Sequence, residues 1–88
     1  MAESSIDFYG AGWCGDCVRA RALLDHYGVD YDYHDIDASE EAKAKAIEIS
    51  GLQKIPVLVF PDGSFLSEPS NPALNAKLTE LDLIDGDA

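Results

Sequence analysis

The hydrophobic residues of this chain change period as it runs. Ile6 to Tyr9 form a short apolar-rich run suited to a strand, which Gly10, Ala11 and Gly12 break. From Gly15 to Tyr27 the spacing turns helical: Cys17, Ala20, Leu24 and Tyr27 share one face, with Leu23 beside them. Gly28 is a natural stop for that helix, and Arg21 and Asp25, four apart, are spaced to pair on its exposed side. Tyr31 to Ile36 alternates aromatic and polar residues as a strand does. Asp37 and Glu40 resemble a capping box with Asp in place of Ser or Thr; the helix they open runs through Ala42, Ala46 and Ile49 and ends at Gly51. Val57 to Phe60 is a continuous apolar run, as expected of a strand buried on both faces. Pro61-Asp62-Gly63 is a turn signal, and Ser64-Phe65-Leu66 returns as the hairpin partner. Asn71 caps a third helix with Pro72 at its first position and Leu74, Leu78 and Leu81 as its buried stripe. Asp85 to Ala88 read as a frayed end.

The predicted order is β-α-β-α-β-β-α, an α/β chain. The first β-α-β unit is parallel with a right-handed crossover, and the hairpin adds an antiparallel pair. Together they form one four-stranded mixed sheet with helices on both faces. With 88 residues and no internal repeat, the chain reads as a single domain over 1–88.

Composition narrows the function. Seventeen acids against 6 bases give a net charge of −11, which argues against nucleic acid and anionic membranes as partners. The surplus fits plain solubility, a salt-adapted source or a basic docking partner. Its densest stretch, from Asp30 to Glu41, reads as a solvated face and not as a metal site. No segment is long and apolar enough to span a bilayer, and the start of the chain lacks the basic and apolar regions of a signal peptide. The expected location is the cytoplasm.

The chemistry sits at Trp13-Cys14-Gly15-Asp16-Cys17. A bridge between Cys14 and Cys17 closes too short a loop to act as a staple. Their position between a strand and a helix is what counts. A sulfur at Cys14 meets the unpaired N–H groups and positive dipole end of the helix, which favour the thiolate, the nucleophile of disulfide exchange. Cys17 lies one turn later and belongs to the apolar stripe. Cys14 is thus the attacking sulfur and Cys17 the buried partner that resolves the mixed disulfide. A closed zinc site needs two further ligands. His26 lies at the far end of the helix, more than ~10 Å away at 1.5 Å per residue, and His34 is in the second strand. A C-x-x-C at a strand-to-helix junction is a redox signal. Trp13 suits both a shield for the loop and a flat surface for substrate. Asp16 places a like charge beside the thiolate and opposes its formation, with Arg19 and Arg21 near enough in sequence to offset it.

From about Ile6 to Leu83 the sequence resembles the glutaredoxin family, and most of all its mycoredoxin-like branch from actinobacteria. The resemblance rests on Tyr9 through Arg19, Tyr31 to Asp37, Ile55-Pro56-Val57 and Asp62 through Ser70. It implies a thioredoxin-like (glutaredoxin) fold and a dithiol glutaredoxin-type thiol–disulfide oxidoreductase with Cys14 as nucleophile and Cys17 as resolving cysteine. It implies that Pro56 is the cis-proline opposite the cysteines and that the backbone of Ile55 pairs with an extended substrate. Contacts to substrate are expected from Trp13, Gly15, Asp16, Lys54, Ile55, Pro56, Glu68 and Ser70. The protein is expected to bind no metal or resident cofactor and to act as a monomer. Its partners are then a low-molecular-weight thiol as reducing co-substrate and disulfide-containing client proteins.

Three departures bear on which thiol. Glutathione-using members usually carry a basic residue shortly before the first cysteine, where this chain has Gly10-Ala11-Gly12. They carry a double glycine and an aspartate before the last helix, where this chain has Ser67-Glu68-Pro69-Ser70. Near the cis-proline, Gln53 and Lys54 stand where Arg and Thr are common. The clamp for anionic glutathione is mostly missing, so uncharged, sugar-linked mycothiol is favoured over glutathione, with Glu68 and Ser70 set to bond its hydroxyls. Two other readings are a redoxin recycled by a flavoprotein reductase, such as those that feed ribonucleotide reductase, and an iron–sulfur carrier.

Overall fold

A computed structural model describes residues 6–51 and 53–84; the acidic start of the chain and the end read as frayed lie outside them. The order is β1 (Ile6–Gly10), α1 (Gly15–Tyr27), β2 (Tyr31–Asp35), α2 (Glu40–Ser50), β3 (Val57–Val59), β4 (Phe65–Ser67) and α3 (Asn71–Glu80). The strands form one sheet in the order β2-β1-β3-β4. β1 pairs parallel with β2, while β3 runs antiparallel to both β1 and β4.

The two-residue period of β1 divides the core. Successive strand side chains point to opposite faces. Ile6 and Phe8 of β1, with Leu58 of β3, meet Cys17, Ala20 and Leu24 of α1 and Leu74 and Leu78 of α3. Tyr9 and Val57 point the other way and meet Ala46 of α2. Helices α1 and α3 therefore cover one face and α2 the other. The rings of Tyr31 and Tyr33 lie 5.7 and 5.8 Å from that of Phe8. Asn75 Nδ2 donates to the Tyr27 hydroxyl at 2.7 Å, tying α3 to α1. Among the described residues no helix is long and apolar enough to cross a membrane.

Several local expectations are corrected. Gly10 does not break the first strand; it is the last residue of β1 and pairs with Asp35. The second helix is capped by Ser39, whose Oγ accepts from Ala42 N at 3.1 Å, and not by Asp37, whose carboxylate is engaged elsewhere. Ser70, not Asn71, caps α3, so Pro72 falls second in the helix. The last strand lies one residue later than predicted, at Phe65–Ser67. Arg21 and Asp25 meet only through Tyr31: Arg21 Nε donates to the Tyr31 hydroxyl, which donates to Asp25 Oδ1, each at 3.2 Å. The guanidinium also stacks 3.8 Å from the centre of the Tyr33 ring, an attraction of cation and ring face that local spacing does not reveal.

Sheet register decides what lies at the working end of the molecule. Gly10, at the exit of β1, is opposite Asp35, at the exit of β2. Tyr9 is opposite Val57 at the start of β3, and Val57 is opposite Ser67 at the end of β4. One end of the sheet thus gathers four connections: the cysteine loop, the segment after β2, the Lys54-Ile55-Pro56 approach to β3, and the Glu68-Pro69-Ser70 exit from β4.

Candidate active site

Cys14 is the N-cap of α1. Its backbone is extended (φ −90°, ψ 116°) and its Sγ accepts from the Cys17 backbone N–H at 3.3 Å. A helix start leaves its first N–H groups unpaired, and here a sulfur takes the place that a Ser or Asp oxygen usually fills. On the other side Cys14 Sγ approaches the carbonyl of Ile55 at 4.0 Å. The Ile55–Pro56 bond is cis, as the resemblance implies, and Pro56 is buried while Ile55 is half-buried.

Cys17 differs in every physical respect. It is 0% exposed, in the core against Phe8, Ala20 and Leu24. Burial pushes its thiol up to about 12, helped by the hydrogen bond to Cys14 and, more weakly, by the Asp16 charge. Both thiols are free, with Cys14 partly buried. At neutral pH the accessible Cys14 is expected to take up iodoacetamide while Cys17 stays unlabelled until the protein unfolds; peptide mapping by mass spectrometry checks this. Equal labelling of the two in the folded protein would count against it. A thiol held protonated in the folded state contributes stability that is fully present below its unfolded value of 9.0 and is lost as pH rises towards about 12.

Gly10 accounts for how Cys17 fits. A Cβ built there would lie 2.8 Å from Cys17 Sγ and 2.9 Å from Phe8 Cε1. The sulfur occupies space that any side chain at position 10 would take. At Gly15, between the cysteines, an added Cβ meets nothing within 4 Å.

Asp16 has a partner. Arg19 Nη2 bonds Asp16 Oδ1 at 3.2 Å, while Arg19 Nη1 donates to Asn71 Oδ1 at 2.7 Å and Nη2 reaches the Pro69 carbonyl at 3.4 Å. Arg19 therefore draws the Asp16 charge to itself and ties the start of α1 to the start of α3.

Trp13 is 71% exposed, the most exposed of the large hydrophobic residues among those described, with Val18 at 55% nearby in the chain. Its Nε1 donates to Asp37 Oδ2 at 2.6 Å across 24 residues. The indole is one wall of a groove of about 380 Å³ that Ile36, Asp37, Glu40, Lys43, Gln53, Lys54 and Ile55 also line. The groove runs beside the Ile55 backbone that faces Cys14. Lys54 Nζ lies 4.0 Å from Glu68 Oε1. Ser70 Oγ accepts from Ala73 N at 3.2 Å, which leaves its O–H to donate.

The sequence-predicted residues thus gather at one end of the sheet. The reading of the sequence missed Asp37, Glu40 and Lys43 as groove residues, because they sit on a connection and a helix that carry no redox motif. It also missed Gly10 as the space that Cys17 needs. Among the described residues no three His, Cys, Asp or Glu side chains converge as a metal cluster would.

Comparison with known proteins identifies the family. Residues 6–66 match the family model named Glutaredoxin. A Mycobacterium tuberculosis (strain H37Rv) protein that carries the name glutaredoxin is 30% identical over 82 residues, spanning 92% of this chain and 98% of that protein. Among solved structures, the Archaeoglobus fulgidus glutaredoxin superposes with a TM-score of 0.71 at 29% identity, over 92% of this chain and 88% of that one. A buckwheat glutaredoxin solved with glutathione also reaches 0.71, over 97% of this chain and 83% of that one; at 18% identity the likeness is of fold.

Proposed function

This chain belongs to the glutaredoxin family of thiol oxidoreductases with the thioredoxin-like fold, and we propose that it reduces disulfides through Cys14 and Cys17 at the expense of a low-molecular-weight thiol. The observation that carries this reading is the placement of Cys14 Sγ. It caps α1, receives the Cys17 N–H at 3.3 Å and faces the Ile55 carbonyl at 4.0 Å beside an open groove.

The Cys14 thiolate attacks one sulfur of the substrate disulfide, and the other sulfur leaves as a thiolate that takes a proton. Cys17 then loses its proton and attacks the Cys14 sulfur. The second substrate thiol departs and a Cys14–Cys17 disulfide remains. Two molecules of small thiol return it to the dithiol and leave as their own disulfide. Cys17 is buried and held protonated, so its reach is confined to the mixed disulfide that forms next to it on Cys14. Where the substrate is a protein–small-thiol mixed disulfide, Cys14 alone suffices, because a second small thiol can replace Cys17. Exposed Trp13 and Val18 offer apolar area to a client chain, and the Ile55 backbone supplies its hydrogen-bond edge. The whole chain, 1–88, acts as a single domain and a monomer.

The reducing thiol is uncharged, of mycothiol type. Asp37, Glu40 and Glu68 set three carboxylates about the groove against Lys43 and Lys54, and the chain carries −11 overall. In a recycling assay the oxidised protein is offered mycothiol, glutathione, and thioredoxin reductase with NADPH. Mycothiol is expected to restore the dithiol fastest. Faster recovery with glutathione removes the thiol assignment, and recovery with the flavoprotein alone replaces the reading with that of a reductase-fed redoxin.

A further inference from the structure

Glu68 has a left-handed backbone, φ 53°, without being glycine. That conformation crowds Cβ against the carbonyl and is unfavourable for an L residue. Strain of this kind persists where the surroundings over-determine it and points to a role. Two contacts hold it. The Glu68 N–H donates to the Pro56 carbonyl at 2.8 Å, one step beyond the Val57–Ser67 pair that closes the hairpin. The carboxylate reaches back over the same segment, so that Oε1 lies 4.0 Å from Lys54 Nζ. Lys54 precedes Ile55, whose carbonyl meets the Cys14 thiol, and it lines the groove. Glu68 therefore stands beside a cation of the groove, one residue along the chain from the carbonyl that the reactive sulfur approaches. Both side chains are wet, at 60% and 40% exposed, so the pair contributes little to folding. Its effect falls on what approaches Lys54.

We infer that Glu68 is a specificity-determining residue that screens Lys54 and so selects against anionic disulfides and thiols at Cys14. This deepens the oxidoreductase reading above and rests on it. A ligand bearing carboxylates meets the Glu68 charge and a cation already engaged, while an uncharged ligand meets neither penalty.

The test compares the full chain with Glu68→Gln, which keeps the side chain's size and removes its charge. The substrates are oxidised glutathione, which is anionic, and bis(2-hydroxyethyl) disulfide, which is not. Uncharged dithiothreitol regenerates the dithiol in every assay, and the readout is the ratio of kcat/KM for the anionic over the uncharged disulfide. It is expected to rise about threefold to tenfold, through KM, as suits one unit charge acting across a few ångströms of wet surface. The gain should shrink in ~1 M salt, where screening acts within about 3 Å. Adding Lys54→Met to Glu68→Gln should return the ratio to the parent value or lower. A merely structural role moves both substrates together and leaves the ratio unchanged, which would overturn the inference while leaving the oxidoreductase reading in place. Failure of the parent chain to reduce either disulfide would overturn that reading, and this inference with it.

Discussion

Cys14→Ser is expected to bring disulfide reduction down to the uncatalysed rate with every substrate, while Cys17→Ser divides the substrates into two groups. A serine hydroxyl at the cap of α1 is not ionised at neutral pH and forms no mixed disulfide, so no turnover can start. Without Cys17 the mixed disulfide on Cys14 still forms and a second small thiol can still release it. Reduction of a small-thiol mixed disulfide should stay within roughly tenfold of the parent, since that route needs no second attack from within. Reduction of a disulfide inside a client protein should stop at the trapped covalent complex, visible on a non-reducing gel. The asymmetry comes from the structure: one sulfur caps a helix and is only partly buried, and the other is 0% exposed in the core. A Cys17→Ser variant inert on both kinds of substrate, or a Cys14→Ser variant active on either, would undo the assignment of roles.

Gly10→Ala is expected to harm the protein as much as loss of a core side chain does, although it adds a single methyl group. The new Cβ falls 2.8 Å from Cys17 Sγ, 2.9 Å from Phe8 Cε1 and 3.3 Å from Cys17 Cβ. Something must yield, and two responses are open. The sulfur can rotate away, which takes it off line for Cys14, or Phe8 and its strand can shift, which disturbs the packing of α1 on the sheet. Overpacking of this kind costs about 1–3 kcal/mol. In a domain of this size that lowers the melting temperature by roughly 4–8 °C per kcal/mol. Thermal unfolding followed by circular dichroism measures the second response, and the rate of Cys14–Cys17 closure after addition of an oxidant measures the first. A variant that melts and closes like the parent would show that Cys17 does not need the space.

Much of this was legible in the sequence. The helical stripe Cys17, Ala20, Leu24 is buried as the period requires, and α1 runs from Gly15 to Tyr27 as predicted. The parallel first β-α-β unit and the antiparallel hairpin are found as the order of elements predicted, and the turn at Pro61-Asp62-Gly63 fell where its residues demand it. What failed were choices between equivalent neighbours. Asp37 and Ser39 can both cap a helix, as can Ser70 and Asn71, and local chemistry does not decide between them. Tertiary contacts did: Asp37 is taken by Trp13 and Asn71 by Arg19. Gly10 was misread because glycine has two uses. Loss of pattern at Gly10-Ala11-Gly12 looks like a break in the strand, yet the strand continues and its last glycine makes room for a sulfur from the next helix. The Lys54–Glu68 proximity needed the register of β3 and β4, which hydrophobic spacing leaves open.

The indole of Trp13 also gives the molecule an optical handle. It is the chain's only tryptophan, it precedes the reactive sulfur, and Asp37 pins it at 2.6 Å to the rim of the groove. All tryptophan emission therefore originates within one residue of Cys14. Each conversion of dithiol to disulfide, and each arrival of a thiol in the groove, changes the surroundings of that single fluorophore. Redox titrations and stopped-flow binding traces can be recorded on the unlabelled protein, with the four tyrosines as an internal reference for the rest of the fold.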